Sequence, residues 1–258
     1  MLKWTVFKVS FKKSFLMMKR YMFNFVSGIV TIYIVFLILF YGIKAVGGPT
    51  INSSGTLEAM IVGYIVWIFA MNAFQDLSWG LVNEAQMGTL EQMYLTPAGF
   101  SWINVATIVS NFVLNFVFTL VIILFIMVTT GKYLHLNLLT LLPLVLFTLG
   151  GAYGIGFAMG GLALIYKRIQ AFFQIVQFAI IGFMVLPLDR MPWAKALPLA
   201  MGNSLVRQAM VGGKSLLALP AGDLLILAVT GVGYFLLGLS AFGLAERTAR
   251  RRGLLGQY

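Results

Sequence analysis

Residues able to do chemistry are scarce in this chain, and the scarcity narrows its function. There is one histidine, His135, and no cysteine. That excludes disulfides, thiolate nucleophiles and cysteine-ligated metals. The acids are Glu58, Asp76, Glu84, Glu91, Asp189, Asp223 and Glu246, and no pair of them stands beside His135 at a metal-ligand spacing. No serine is marked by a nearby base, so a nucleophilic triad has no candidate. Gly212-Gly213-Lys214-Ser215 imitates the end of a phosphate-binding loop. The pattern needs glycine at position 208, where Gln208 stands, and no strand precedes it. The chain is therefore expected to bind no nucleotide, metal or other cofactor itself.

Two other sets of polar residues remain. The first lies inside long apolar runs, where polar groups are costly and usually face protein or a water-filled path. Asn72, Gln75 and Asp76 form one group, with Asn72 and Asp76 on a common face by i,i+4 spacing. Thr107, Asn111, Asn115 and Thr119 recur at strict i+4 steps, and Gln170, Gln174 and Gln177 share a face. Each group reads either as hydrogen-bonding glue between helices or as the lining of a translocation path. The first and last groups are the candidate path residues. The second set is the segment Asn83–Pro97, N-E-A-Q-M-G-T-L-E-Q-M-Y-L-T-P, which has two acids, no base and a Thr96-Pro97 stop.

These residues must be positioned by membrane-spanning helices. Of 258 residues, 60% are hydrophobic and 10% charged, where soluble domains carry roughly 25% charged. The apolar residues fall into six blocks near or above the ~20 residues that cross a bilayer. The expected spans are about 21–43, 57–81, 102–130, 138–166, 171–188 and 224–245. The fold class is all-α integral membrane, one domain of six spans over 21–245.

Charge sets the orientation. The net charge is +11. With the N-terminus inside, the inner segments hold twelve of the 18 Lys/Arg and the outer ones six, the bias of a chain with both termini cytoplasmic. No basic face is large enough to track a duplex, so no nucleic-acid partner is expected. The acidic Asn83–Pro97 loop breaks the inner bias; a partner surface that prefers acids would explain that, and a solvated helical turn is the plainer alternative.

Residues 1–20 read as an amphipathic interfacial helix. Trp4, Phe7, Phe11, Phe15, Met18 and Met22 form a narrow stripe, flanked by Lys8, Lys12 and Lys19. Between the last two spans, residues 187–222 contain Pro187, Pro192, Pro198 and Pro220 among semi-apolar stretches, and short re-entrant or interfacial outer helices fit them best. The fourth span is glycine-dense, and Gly150-xxx-Gly154 and Gly156-xxx-Gly160 allow close helix approach. Residues 246–258 form a basic cytoplasmic tail.

At Asn83–Pro97 the chain resembles the type-2 ABC transporter permeases, six-span subunits of ABC exporters. In that family a short cytoplasmic coupling helix, here about 83–95, joins the second and third spans. It has an acidic start, a Gly-Thr-acid core and a Thr/Ser-Pro end, which here read Glu84, Gly88-Thr89-Leu90-Glu91 and Thr96-Pro97. The whole layout is similar, including Pro187, Pro192-Trp193, Pro198, Asn203 and Arg207 in the outer segment. There are two departures: Ala85 stands where a base often follows the first acid, and Asn203-Ser204 where Asn-Pro is usual.

The resemblance implies a permease in a bacterial or archaeal cytoplasmic membrane, pairing with a second permease copy or a related permease. Two separate ATPase subunits would bind ATP and Mg. Asn83, Glu84, Gly88, Thr89, Glu91, Tyr94, Thr96 and Pro97 would contact them, and the Trp4/Phe7/Phe11/Phe15 helix would brace the interface. The cargo class would be amphipathic, lipid-linked, glycan or drug-like. The competing reading is a stand-alone secondary transporter or channel, which a motorless chain also permits.

Overall fold

The structure is a computed structural model that describes residues 2–46, 55–86, 96–97, 100–166 and 169–252. It contains eight α-helices among those residues: α1 Leu2–Arg20, α2 Met22–Val46, α3 Thr56–Gln86, α4 Phe100–Thr130, α5 Leu138–Ile165, α6 Gln170–Val185, α7 Ala200–Met210 and α8 Ala221–Arg251. Two 3₁₀ turns, Pro192–Ala196 and Leu216–Ala218, flank α7. The described residues contain no strand.

Among the described residues, five helices are long and apolar enough to cross a membrane: α2, α3, α4, α5 and α8. The chain is an all-helical, multi-pass membrane protein. The apolar stretch expected as the fifth span, 171–188, forms α6, which has only 16 residues. At 1.5 Å per residue it is about 24 Å long, short of the ~30 Å hydrocarbon core. Pro187 is the reason. The residue before a proline is pushed out of the helical region, and Leu186 is extended at φ −60° and ψ 133°.

Other boundaries also differ from expectation. α3 continues past Leu81 to Gln86, so Asn83 and Glu84 belong to its last turns and do not open a separate helix at 83. Nothing in Val82-Asn83-Glu84-Ala85-Gln86 breaks a helix; the first breaker is Gly88. α8 likewise runs on to Arg251, so the basic tail begins as helix, with Arg250 Nη2 2.6 Å from Glu246 Oε1 one turn away.

α3 is the central helix. It packs on α5 most extensively, and also on α2, α4, α6 and α7. Phe36 of α2 packs at a tilt against Tyr64 of α3 at 5.3 Å, and Tyr64 Oη donates to the Ile32 carbonyl at 2.6 Å. α5 and α8 make the most extensive contact of all. A Cβ on Gly150 would lie 2.8 Å from the Gly231 carbonyl oxygen. One on Gly154 would meet the Tyr234 carbonyl, and one on Gly238 the Gly154 carbonyl. Only glycine permits so close an approach.

α4 shows why a polar stripe survives in a span. Val105, Val109, Val113, Val117 and Val121 are all exposed. They sit two residues out of phase with Thr107, Asn111, Asn115 and Thr119, which places the two stripes about 200° apart at 100° per residue. The valines form the outer face, and the polar residues turn toward protein.

Beyond α6 the chain folds as two 3₁₀ turns around α7, whose Ala200, Met201, Leu205, Val206, Ala209 and Met210 are buried. Asn203 Nδ2 donates to the Met184 carbonyl at 3.0 Å, fastening α7 to the end of α6. Gly213 takes φ +64° in the turn after α7, and Lys214 Nζ donates to Gln208 Oε1 at 3.0 Å. The run resembling a phosphate loop is thus an exposed turn with no strand before it.

Candidate functional site

Three regions hold the residues singled out above. The first is the end of α3 that leads into the acidic loop. Glu84 Oε1 accepts from Lys13 Nζ of α1 at 3.1 Å, and the lysine side chain is 63% exposed. Thr96 is half-buried and Pro97 exposed, in a bend and turn before α4. Gly88, Thr89, Glu91 and Tyr94 lie outside the described residues. Asn83 is helical, within α3.

The second region is the contact of α3 with α6. Phe173 of α6 is buried, with Phe74 at 6.0 Å and Trp79 at 5.2 Å, both edge-on. Beside these rings, Gln75 of α3 is exposed, as are Gln170 and Gln174 of α6, while Asn72 and Gln177 are partly buried. Two adjoining apolar helices therefore present carboxamides at the surface of the single chain. Asp76 is not part of this face, although it follows Gln75. It turns toward α4, where Asn115 Nδ2 donates to its Oδ2 at 3.0 Å.

Asp76 belongs to the third region, a corner formed by α1, the start of α2, α3 and α4. α1 packs against α4, and Ser14 Oγ donates to Asn111 Oδ1 at 2.9 Å. The corner encloses a cavity of about 330 Å³. α1 contributes Ser10, Lys13, Ser14, Met17 and Met18, and α4 contributes Thr107, Asn111, Leu114, Asn115 and Phe118. Phe25 and Asp76 complete it, and Phe25 packs edge-on against Phe118 at 4.4 Å. The α4 stripe is thus divided. Asn111 and Asn115 bond to other helices, Thr107 Oγ1 donates within its own helix to the Ile103 carbonyl at 2.9 Å, and Thr119 is buried.

The packing face of α1 was not apparent from its aromatic stripe. Trp4, Phe11 and Phe15 are exposed, Phe7 is half-buried against Trp4 at 5.6 Å, and Lys8 Nζ sits 5.7 Å from the Trp4 ring. The side centred on Ser10 and Ser14, about 100° away on the helix, meets α4. The available signal was a small pair at i,i+4 on each helix: Ser10 and Ser14 on α1, Ala106 and Ser110 on α4. Ser10, Ala106 and Ser110 are all buried.

No cluster of His, Asp or Glu able to hold a metal occurs among the described residues. Neither a protein-family model nor a curated protein sequence matches the chain.

Proposed function

We propose that the chain is the membrane-spanning subunit of an ATP-driven exporter of the type-2 ABC class, working as a pair of permeases with two ATPase subunits on the cytoplasmic side. The observation that carries this reading is the exposed carboxamide face of α3 and α6. Gln75, Gln170 and Gln174 stand outward from helices otherwise fit for lipid. Carboxamides facing hydrocarbon are costly, and a second permease copy across a polar path would remove that cost. Six spans follow if α6 and the outer turns cross together, the short helix being completed by the 187–222 segment within protein.

The Lys13–Glu84 pair gives the motor a mechanical route. α3 passes unbroken from the carboxamide face to Glu84, so a push delivered at the acidic loop reaches Gln75 through one rigid helix. α1 is tied to the same end. The purified chain alone is expected to hydrolyse no ATP. With its ATPase subunit in liposomes, Glu91→Lys or Gly88→Pro should leave hydrolysis running while transport falls at least tenfold. ATP hydrolysis by the isolated chain, or ion-gradient-driven flux through liposomes holding only this chain, would overturn the reading.

A further inference from the structure

The cavity at the α1–α4 corner lies on the α4 side of α3, not on the carboxamide face it shares with α6, and the proposed path does not use it. We propose that it is a binding site for the ammonium group of a membrane-soluble amine, held by Asp76, Asn111 and Asn115, with the alkyl portion against Met17, Met18 and Phe25. The proposal does not depend on an ATPase partner.

Charge comes first. Three charged groups are in or beside the cavity: Asp76, Lys13, and Glu84 paired to Lys13 at 3.1 Å. The Lys13 side chain is 63% exposed and turned to Glu84, so the carboxylate of Asp76 is the charge inside the recess. Asn115 and Asn111 each supply a side-chain hydrogen bond to it, whereas a carboxylate can accept about four. The hydroxyl oxygens of Ser10 and Ser14 add acceptor capacity around the same space, and Asn111 Oδ1, which accepts from Ser14, has a second lone pair. A recess between membrane helices whose interior charge is a carboxylate among hydroxyl and amide oxygens favours a cation with several N–H donors.

Shape and wall chemistry restrict that cation to one with an apolar body. The volume of about 330 Å³ is at the small end of ligand sites, which run from about 300 to 1,000 Å³. It holds a headgroup and its first carbons. Methionine sulfurs and the Phe25 and Phe118 rings suit an alkyl stem, and the rings also attract an ammonium by cation–π interaction. Lys13 and Met17 are exposed at the rim, so a longer chain can leave through it. A hydrated metal ion would find no such use for the apolar wall.

The test is native mass spectrometry of the full chain in detergent with dodecylamine, with dodecanol of equal chain length, and with dioleoylphosphatidylethanolamine. Dodecylamine should be retained at one per chain and dodecanol at least tenfold less. Asp76→Asn should cut amine retention tenfold or more, while Asp189→Asn, which removes the same charge from an exposed turn, should leave it intact. Thr107→Trp fills the recess with Asp76 in place and should have the same effect as Asp76→Asn. It serves also if Asp76→Asn fails to fold. Retention of the phospholipid lost in Asp76→Asn would make the source an aminophospholipid headgroup. Retention of dodecylamine alone would make it a free lipophilic amine. Equal retention of amine and alcohol, or retention unchanged by both Asp76→Asn and Thr107→Trp, would overturn the proposal.

Discussion

Two helix contacts in this molecule are built on opposite principles. The α5–α8 seam is tight, with backbone against backbone at Gly150, Gly154, Gly231 and Gly238. The α1–α3–α4 corner is held by side-chain hydrogen bonds at Ser14–Asn111 and Asn115–Asp76 around an open cavity. A membrane gives little hydrophobic drive to helix association, so close packing and hydrogen bonding must supply it. Close packing has no spare volume and fixes one geometry. A hydrogen-bonded corner tolerates rearrangement and solvent. The seam is therefore suited to a rigid body, and the corner to the part that accommodates a ligand or yields to a push.

The sharpest test of the contrast is to insert volume into the seam. Gly154→Leu places a side chain where the Tyr234 carbonyl already stands. Neither backbone can move without dismantling the contact, so the loss should be roughly 3 kcal/mol or more, at the upper end of overpacking effects. Gly233 is on the same helix α8, but a Cβ there has nothing within 4 Å. Gly233→Ala should be neutral or stabilising by up to about 1 kcal/mol, because alanine is the better helix former. Thermal unfolding in detergent checks both. Similar losses at the two positions would mean the seam is not specially tight.

The corner should respond to lost donors more than to added volume. Asn115→Leu removes the hydrogen bond to Asp76 and should cost about 1–3 kcal/mol, the range for orphaning a buried partner. The double variant Asp76→Leu/Asn115→Leu removes both polar groups and should recover much of the loss, since replacing both partners with apolar groups is often near neutral. A double variant as unstable as the single one would show that Asp76 matters to the fold through something other than this pairing.

The difference between the regions also explains how far sequence alone could carry the description. The glycine spacing at Gly150 and Gly154 announces a close contact, but the partner glycines, Gly231 and Gly238, are seven residues apart on α8 and match no short motif. The spans are readable because length and apolarity decide them locally. The end of α6 is not, because Val185 and Leu186 look like more span, and the backbone constraint imposed by Pro187 outweighs their apolarity. For α1 the aromatic stripe dominates any periodicity reading. The face that packs is marked only by two serines, and residue size matters there more than hydrophobicity. Asn72, Gln75 and Asp76 look like one polar group in sequence. The 100° between Gln75 and Asp76 sends one to the α6 side and the other to the α4 corner, and only the neighbouring helices decide which side is which.

The smallest effect expected on stability is at Lys13–Glu84, and there the contrast is best sharpened by measuring something else. The lysine side chain is 63% exposed, and such pairs contribute about 0–1 kcal/mol, less as salt rises. Lys13→Ala, Glu84→Gln and the double variant should all unfold within about 1 kcal/mol of the parent, with a coupling that fades at high salt. Yet the pair ties α1 to the end of α3, so its loss should loosen α1 locally without loosening the seam. Hydrogen exchange should speed up in α1 for both single variants and stay unchanged in α5 and α8. Faster exchange in the seam as well would make the two regions one cooperative unit, and the division into a rigid body and a yielding corner would fail.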